Sequence, residues 1–362
     1  MTHNSEFDER DRDVDGSAAE ESPDLDLEHL RVFSIDDEDD LDPGRDMDLA
    51  IPAKREASEV LAGLEKGERH DADYYGFSDL SAAELTMLNS RWHLIDAELR
   101  ASVVREACET GLEDFSLHLL RFFLFASEDE DPQVRQLAVA ALGYEADALA
   151  AERLLEVVQD DASDDIRSEA ANSLGPYVTL SEWGDFTLEL GKRLNQTLFE
   201  LAEDEEESWH IRRRAAESAA GFGPNARVNR LVQRMYDEDE LGLRASALYA
   251  AGRGNQRDWL EVAIEELGND DVEIRREAAR SAGMFGDVEA LPGLSELARS
   301  DDDTGIRHVA IGAMGEIGGN GAIRILTRLI DGAPDDDADV IDDALIAASL
   351  ALNPFMPGID ED

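Results

Sequence analysis

IRREAARSAG, residues 274–283, decides the fold, because the same phrase returns along the chain: VRQLAVAALG at 134–143, IRSEAANSLG at 166–175, IRRRAAESAAG at 211–221, LRASALYAAG at 243–252 and IRHVAIGAMG at 306–315. Each copy is an aliphatic residue followed by Arg, a run of small residues and Gly. The arginines stand at 135, 167, 212, 244, 275 and 307, so successive gaps are 32, 45, 32, 31 and 32 residues. A seventh, degenerate copy starts at Val340, with Ile341 in the Arg position. Within a copy the apolar and small positions fall at i, i+4, i+7 and i+8, as in Val134, Ala138, Ala141 and Leu142, which is one face of an α-helix. That face is mostly Ala and Ser, and side chains of this size set a short distance between packed helices. Pro132 after Asp131 predicts a first helical turn with an Asp cap. The closing Gly predicts a left-handed C-terminal cap.

A second helix, richer in Leu and Val, follows each phrase: LAAERLLEVV from Leu149, WLEVAIEEL from Trp259, ALPGLSELA from Ala290 and AIRILTRLI from Ala322. A helix pair of about 32 residues cannot bury its apolar face alone, whereas a stack of such pairs buries a continuous core. The expected class is therefore all-α, an α-solenoid of antiparallel helix pairs.

The phrase resembles the HEAT repeat family, in the short variety first described in phycobilisome lyase subunits. It shares the aliphatic-Arg-x-x-Ala core and an acidic residue six before the Arg: Asp129, Asp161, Glu206, Glu238 and Asp301, with Asn269 the exception. The resemblance covers roughly residues 100 to 352. It implies that Arg135, Arg167, Arg212, Arg244, Arg275 and Arg307 form a ladder with these acids between neighbouring repeats, a structural role rather than a row of anion sites. It implies little about function.

Four regions are expected: an acidic, largely disordered tail at 1–73, N-terminal helices capping the array at 74–130, the solenoid at 131–352 and a short tail at 353–362. The first holds 25 acidic and 8 basic residues with scattered Pro and Gly. Within it, Pro52 to Leu64 can form a short helix with Val60, Leu61 and Leu64 on one side, marginal unless docked. Ser81 with Glu84 fits a capping box, and Leu85, Leu88, Trp92 and Ile95 make an apolar stripe. The long unit at 176–207 contains DFTLELGKRLNQTLFELA (185–202), an amphipathic helix, so its extra residues are expected to extend the second helix and its entry loop. At Pro354 and Pro357 the last phrase stops, and two outcomes are open: Phe355 and Met356 fold back to cap the last repeat, or the exposed end pairs with another chain.

Acidic residues outnumber basic ones 85 to 33, a formal net charge of -52, and only Lys54, Lys66 and Lys192 are lysines. Such a chain repels itself in dilute buffer, and molar salt screens that repulsion to a few ångströms. The composition resembles that of proteins from halophiles. Phosphate binding needs a basic stripe, which the sequence lacks, so nucleic acid is not the expected partner. No apolar run resembles a signal peptide or a membrane span, and a cytoplasmic location is expected.

No catalytic set emerges. Cys108 is the single cysteine. No His is followed by Glu, as an iron hydroxylase built on these repeats requires, and Gly191-Lys192 is followed by Arg193 rather than Ser or Thr. Asp11 to Ser22 imitates a calcium loop but has Ser22 where the bidentate Glu belongs. No cofactor or metal is expected. The expected function is a non-enzymatic scaffold that holds a protein or peptide on the inner surface formed by the second helices. The alternatives are an accessory enzyme or cofactor-attachment factor of the lyase kind, and a signalling or taxis adaptor. Tryptophan is enriched at binding hot spots, and Trp183, Phe186 and Trp259 are the candidate partner contacts.

Overall fold

A computed structural model describes residues 55–70, 73–114, 116–330 and 334–351. The readings of the tail before residue 55, of the calcium-like loop and of Phe355 and Met356 lie outside the described residues. The described residues belong to one compact unit and are helical, with no strand among them.

Two helices precede the stack. α1 (Ala57–Leu64) buries Val60, Leu61 and Leu64, so the packed body includes residues that the sequence reading assigns to the acidic tail; burial supplies the docking that a helix of this length needs. α2 (Ala82–Arg91) starts at Ser81 with the capping box complete, and Leu88, Trp92 and Ile95 are buried.

The stack follows as pairs: α3 (Ala97–Glu113) with α4 (Leu120–Ala126), then α5 (Pro132–Leu142) with α6 (Ala148–Asp160). The third unit has three helices, α7 (Asp164–Ser173), α8 (Gly175–Trp183) and α9 (Leu188–Glu203). Next come α10 (Trp209–Ala219) with α11 (Ala226–Tyr236), α12 (Leu241–Arg253) with α13 (Leu260–Glu266), and α14 (Val272–Phe285) with α15 (Leu291–Ser300). α16 (Thr304–Ile317), α17 (Gly319–Ile330) and α18 (Asp335–Leu350) complete it. The first helices, α3, α5, α7, α10, α12, α14, α16 and α18, pack side by side as one layer, and the second helices form the other. Two buried clusters meet at α12, which gives Leu243 and Ala247 to one and Ala245 and Leu248 to the other.

Two local expectations need correction. The phrase glycines are not left-handed caps. Gly252 and Gly283 lie inside α12 and α14, and a Cβ on Gly252 would sit 2.7 Å from the Cα of Ser281, and one on Gly283 2.9 Å from the Cα of Ala313. These glycines let consecutive first-layer helices touch backbone to backbone. Left-handed caps do occur at Gly184 and Gly286. The second correction concerns the long unit, whose extra residues form a separate helix, α8, instead of lengthening the second. Pro176 sits in its first turn, where a missing N–H costs nothing, so Gly175-Pro176 restarts the chain as helix. Buried Tyr177 donates its hydroxyl to the Leu142 carbonyl, and Arg253 donates to the Gly175 carbonyl at 3.0 Å, which ties α8 to units on both sides.

Candidate functional site

The most regular polar feature is the arginine row, in which five of six arginines reach forward to the start of the next unit. Arg135 binds Asp161 with both ends of its fork, Nε at 2.9 Å and Nη2 at 3.2 Å, while Nη1 donates to the carbonyls of Asp129 and Glu130. Arg275 repeats this on Asp301, at 2.7 and 3.4 Å, with Nη1 on the carbonyls of Asn269 and Asp270. Arg212 reaches Glu238 at 3.2 Å, and Arg307 binds Asp337 at 3.0 and 3.1 Å. Asp129 and Asp301, each six before an Arg, give that Arg a carbonyl and give their carboxylates to an arginine of the preceding unit.

Two expected rungs differ. Arg167 pairs with Glu207, not Glu206, which is exposed, because the longer unit shifts the turn before α10 by one residue. Where Asn269 replaces the acid, Arg244 lies 3.9 Å from Glu266 and 5.2 Å from the Tyr236 ring centroid. One rung was missed altogether: Arg100 in α3, buried, donates to Asp129 at 3.0 Å and to the Ile95 carbonyl, and the Trp92 indole donates to the other Asp129 oxygen at 2.6 Å. The stretch Leu99-Arg100-Ala101-Ser102-Val103 carries the aliphatic-Arg start, but no Gly closes it.

These carboxylates are structural anions. Burial would raise Asp161 and Asp301, but hydrogen bonds from Arg135 and Arg275, helped by the amides of Ser163 and Asp303, hold both below the ordinary carboxylate range. Asp337 is lowered by the Arg307 hydrogen bond against its burial, with His308 at 2.9 Å adding to the effect. A paired, hydrogen-bonded carboxylate has no proton to exchange near neutral pH. Cys108 is equally unreactive: burial, then Glu109, Glu145 and Glu169, push its thiol up to about 12. Glu145 is raised to about 7 by burial and by Asp147. Among the described residues no three His, Cys, Asp or Glu side chains are grouped to hold a metal, and no helix is long and apolar enough to cross a membrane.

The aromatic candidates separate. Trp259 is 5% exposed, its indole donates to Asn229 at 2.8 Å, and it packs edge-on to Tyr236, so it is core and is withdrawn as a contact. Phe186 is half-buried on Tyr177. Trp183, at the end of α8, is 76% exposed and Leu188, at the start of α9, is 77% exposed. The extra helix therefore brings two large apolar side chains to the surface at one corner of the stack.

The second layer also carries cations. α17 has Arg324 and Arg328 and no acid, and α11 has Arg227, Arg230 and Arg234 and no acid. Arg227 and Arg234 are taken up by Glu203 and Glu205, whereas Arg230, Arg299, Arg324 and Arg328 are exposed and form no ion pair among the described residues.

HEAT repeats match the chain at residues 95–175 and 260–348, so it carries these repeats in both halves, and the first match takes in the Arg100 rung. No curated protein matches the sequence. Among solved structures it is similar to the complex of CpcE and CpcF of phycocyanin lyase from Nostoc sp. PCC7120, with 18% identity, coverage of 70% of this chain and 94% of that one, and a TM-score of 0.48. YibA of E. coli has 18% identity, coverage of 78% and 98%, and a TM-score of 0.40. Human deoxyhypusine hydroxylase has 17% identity, coverage of 81% and 96%, and a TM-score of 0.34.

Proposed function

We propose that this stack of HEAT repeats is a non-enzymatic scaffold that binds a partner protein or peptide through its second-helix layer. One observation carries the reading: the ladder arginines are spent within the stack, whereas the second layer keeps Arg230, Arg299, Arg324 and Arg328 exposed and without an ion pair among the described residues and, at its interruption, Trp183 and Leu188 exposed. First-layer helices use two sides of their surface on their neighbours, which leaves the second layer as the long surface open to a partner. Exposed Trp beside an aliphatic residue suits a hot spot. The low thiolate character of Cys108 and the paired state of the ladder acids argue against a nucleophile or acid–base pair among them.

The test uses the full-length chain as bait in its own lysate at molar potassium chloride, with the wild type beside Trp183→Ala and Leu188→Ser. Recovery of one protein in near-equal amount, weakened by either substitution, is the expected result. Recovery of the bait alone, together with turnover of a small molecule by the purified chain, would overturn the reading.

A further inference from the structure

Near the C-terminal end a cleft of about 550 Å³ opens between the two layers, lined by α15 and α17 of the second and α16 and α18 of the first, within the range of ligand-binding clefts. Its floor is apolar, from Ile311, Leu329 and Ile341. Its lining is charge-balanced, with Arg299, Arg307 and Arg328 against Asp301, Asp302 and Asp337, in a chain of net charge -52. Of the carboxylates along it, Asp301 is bound to Arg275 and Asp337 to Arg307, which leaves Asp302 alone against Arg299 and Arg328. Arg324 stands one helical turn before Arg328, hence on the same face of α17.

Resting on the scaffold reading, we propose that this cleft binds an acidic peptide segment of the partner, with one aliphatic or aromatic side chain on the apolar floor and flanking carboxylates on Arg299, Arg324 and Arg328. Guanidinium forks pair carboxylates in two-point contacts that lysine does not reproduce, and all three positions are arginines. A nucleic acid fits less well, because a phosphate backbone needs a continuous basic track and the cleft wall carries Asp302. In a chain of charge -52, long-range repulsion of an acidic segment is screened at molar salt.

The experiment titrates the full-length chain with a fluorescent peptide of Asp and Glu residues around a central Leu, at molar potassium chloride. Saturable binding is expected, weakened by about ten-fold or more in Arg324→Glu/Arg328→Glu and in Arg299→Glu, and unchanged in Lys192→Glu on α9. Far-UV circular dichroism checks that the variants stay folded. Absence of binding to the wild type, equal affinity in the arginine variants, or stronger competition by a single-stranded oligonucleotide than by unlabelled peptide would each overturn the proposal. A captured partner indifferent to Arg324→Glu/Arg328→Glu would end this inference and leave the scaffold reading standing. Peptide binding without any captured partner would do the reverse.

Discussion

The unit starting at α5 and the unit starting at α14 lie 140 positions apart in the sequence, yet Arg135 and Arg275 make the same two-point bond to the next acid and the same pair of carbonyl contacts. The unit between Arg167 and Arg212 breaks the count by 13 residues, keeps the rung by using Glu207, and adds α8 with its exposed Trp183. Geometry, not spacing, is what the ladder preserves. An insertion is accommodated where the chain leaves the first layer, and its new surface is where apolar groups become available.

The widest separation is expected between the two tryptophans. Trp259→Ala removes a buried ring and its bond to Asn229 and is expected to cost about 3 to 5 kcal/mol in urea denaturation. Trp183→Ala, on the inserted helix, is expected to stay within about 0.5 kcal/mol. Equal losses would mean that α8 buries Trp183.

The shifted rung gives a sharper comparison between adjacent residues. Glu207→Gln strips the charge from the partner of Arg167 and is expected to destabilise by roughly 2 kcal/mol, below the full cost of breaking a buried pair, because Arg167 keeps the Val158 carbonyl. Glu206→Gln is expected to be silent. The opposite order would restore the count of six as the rule.

Gly252→Ala forces a Cβ against the Ser281 backbone and is expected to cost about 1 to 2 kcal/mol net of the helix preference of Ala. At Gly175, in the irregular unit, a Cβ meets only the ends of Ser218 and Arg253, which can move, so Gly175→Ala is expected to cost less in the same thermal melt.

The smallest effect is on pH. The Glu145 carboxyl, at about 7 when folded, lies above its unfolded value, so the folded chain binds the extra proton. Stability from this group is present at low pH and lost as pH rises toward about 7. Glu145→Gln is accordingly expected to add about 1 kcal/mol at pH 8 and nothing near pH 4.5, in paired melts.

The sequence shows the repeat because the Arg must recur wherever a first-layer helix meets its neighbour. Arg100 escaped because the signal was tied to a closing Gly, which matters only where the next helix comes closest. The glycines were misread for a related reason: a cap is a local property, whereas the approach of the Ser281 backbone comes from another unit. Glu207 escaped through counting, and α8 through Gly-Pro, which reads as a break although Pro also starts helices. Trp259 could not be assigned from spacing, since its burial depends on Tyr236 and Asn229 of α11 in the preceding unit. The arginines of α17 stand in a helix without acids, but their meaning depends on Asp301 and Asp337 being taken by Arg275 and Arg307, which no linear pattern states.

The most direct measurement sets Arg135→Ala, which breaks a ladder rung far from the cleft, beside the wild type in the acidic-peptide titration at molar potassium chloride, under conditions where both are folded. Unchanged affinity is expected, because the Arg135 rung serves the stack and the cleft beside Arg299 and Arg328 serves the partner. A loss as large as that of Arg324→Glu/Arg328→Glu would contradict that division.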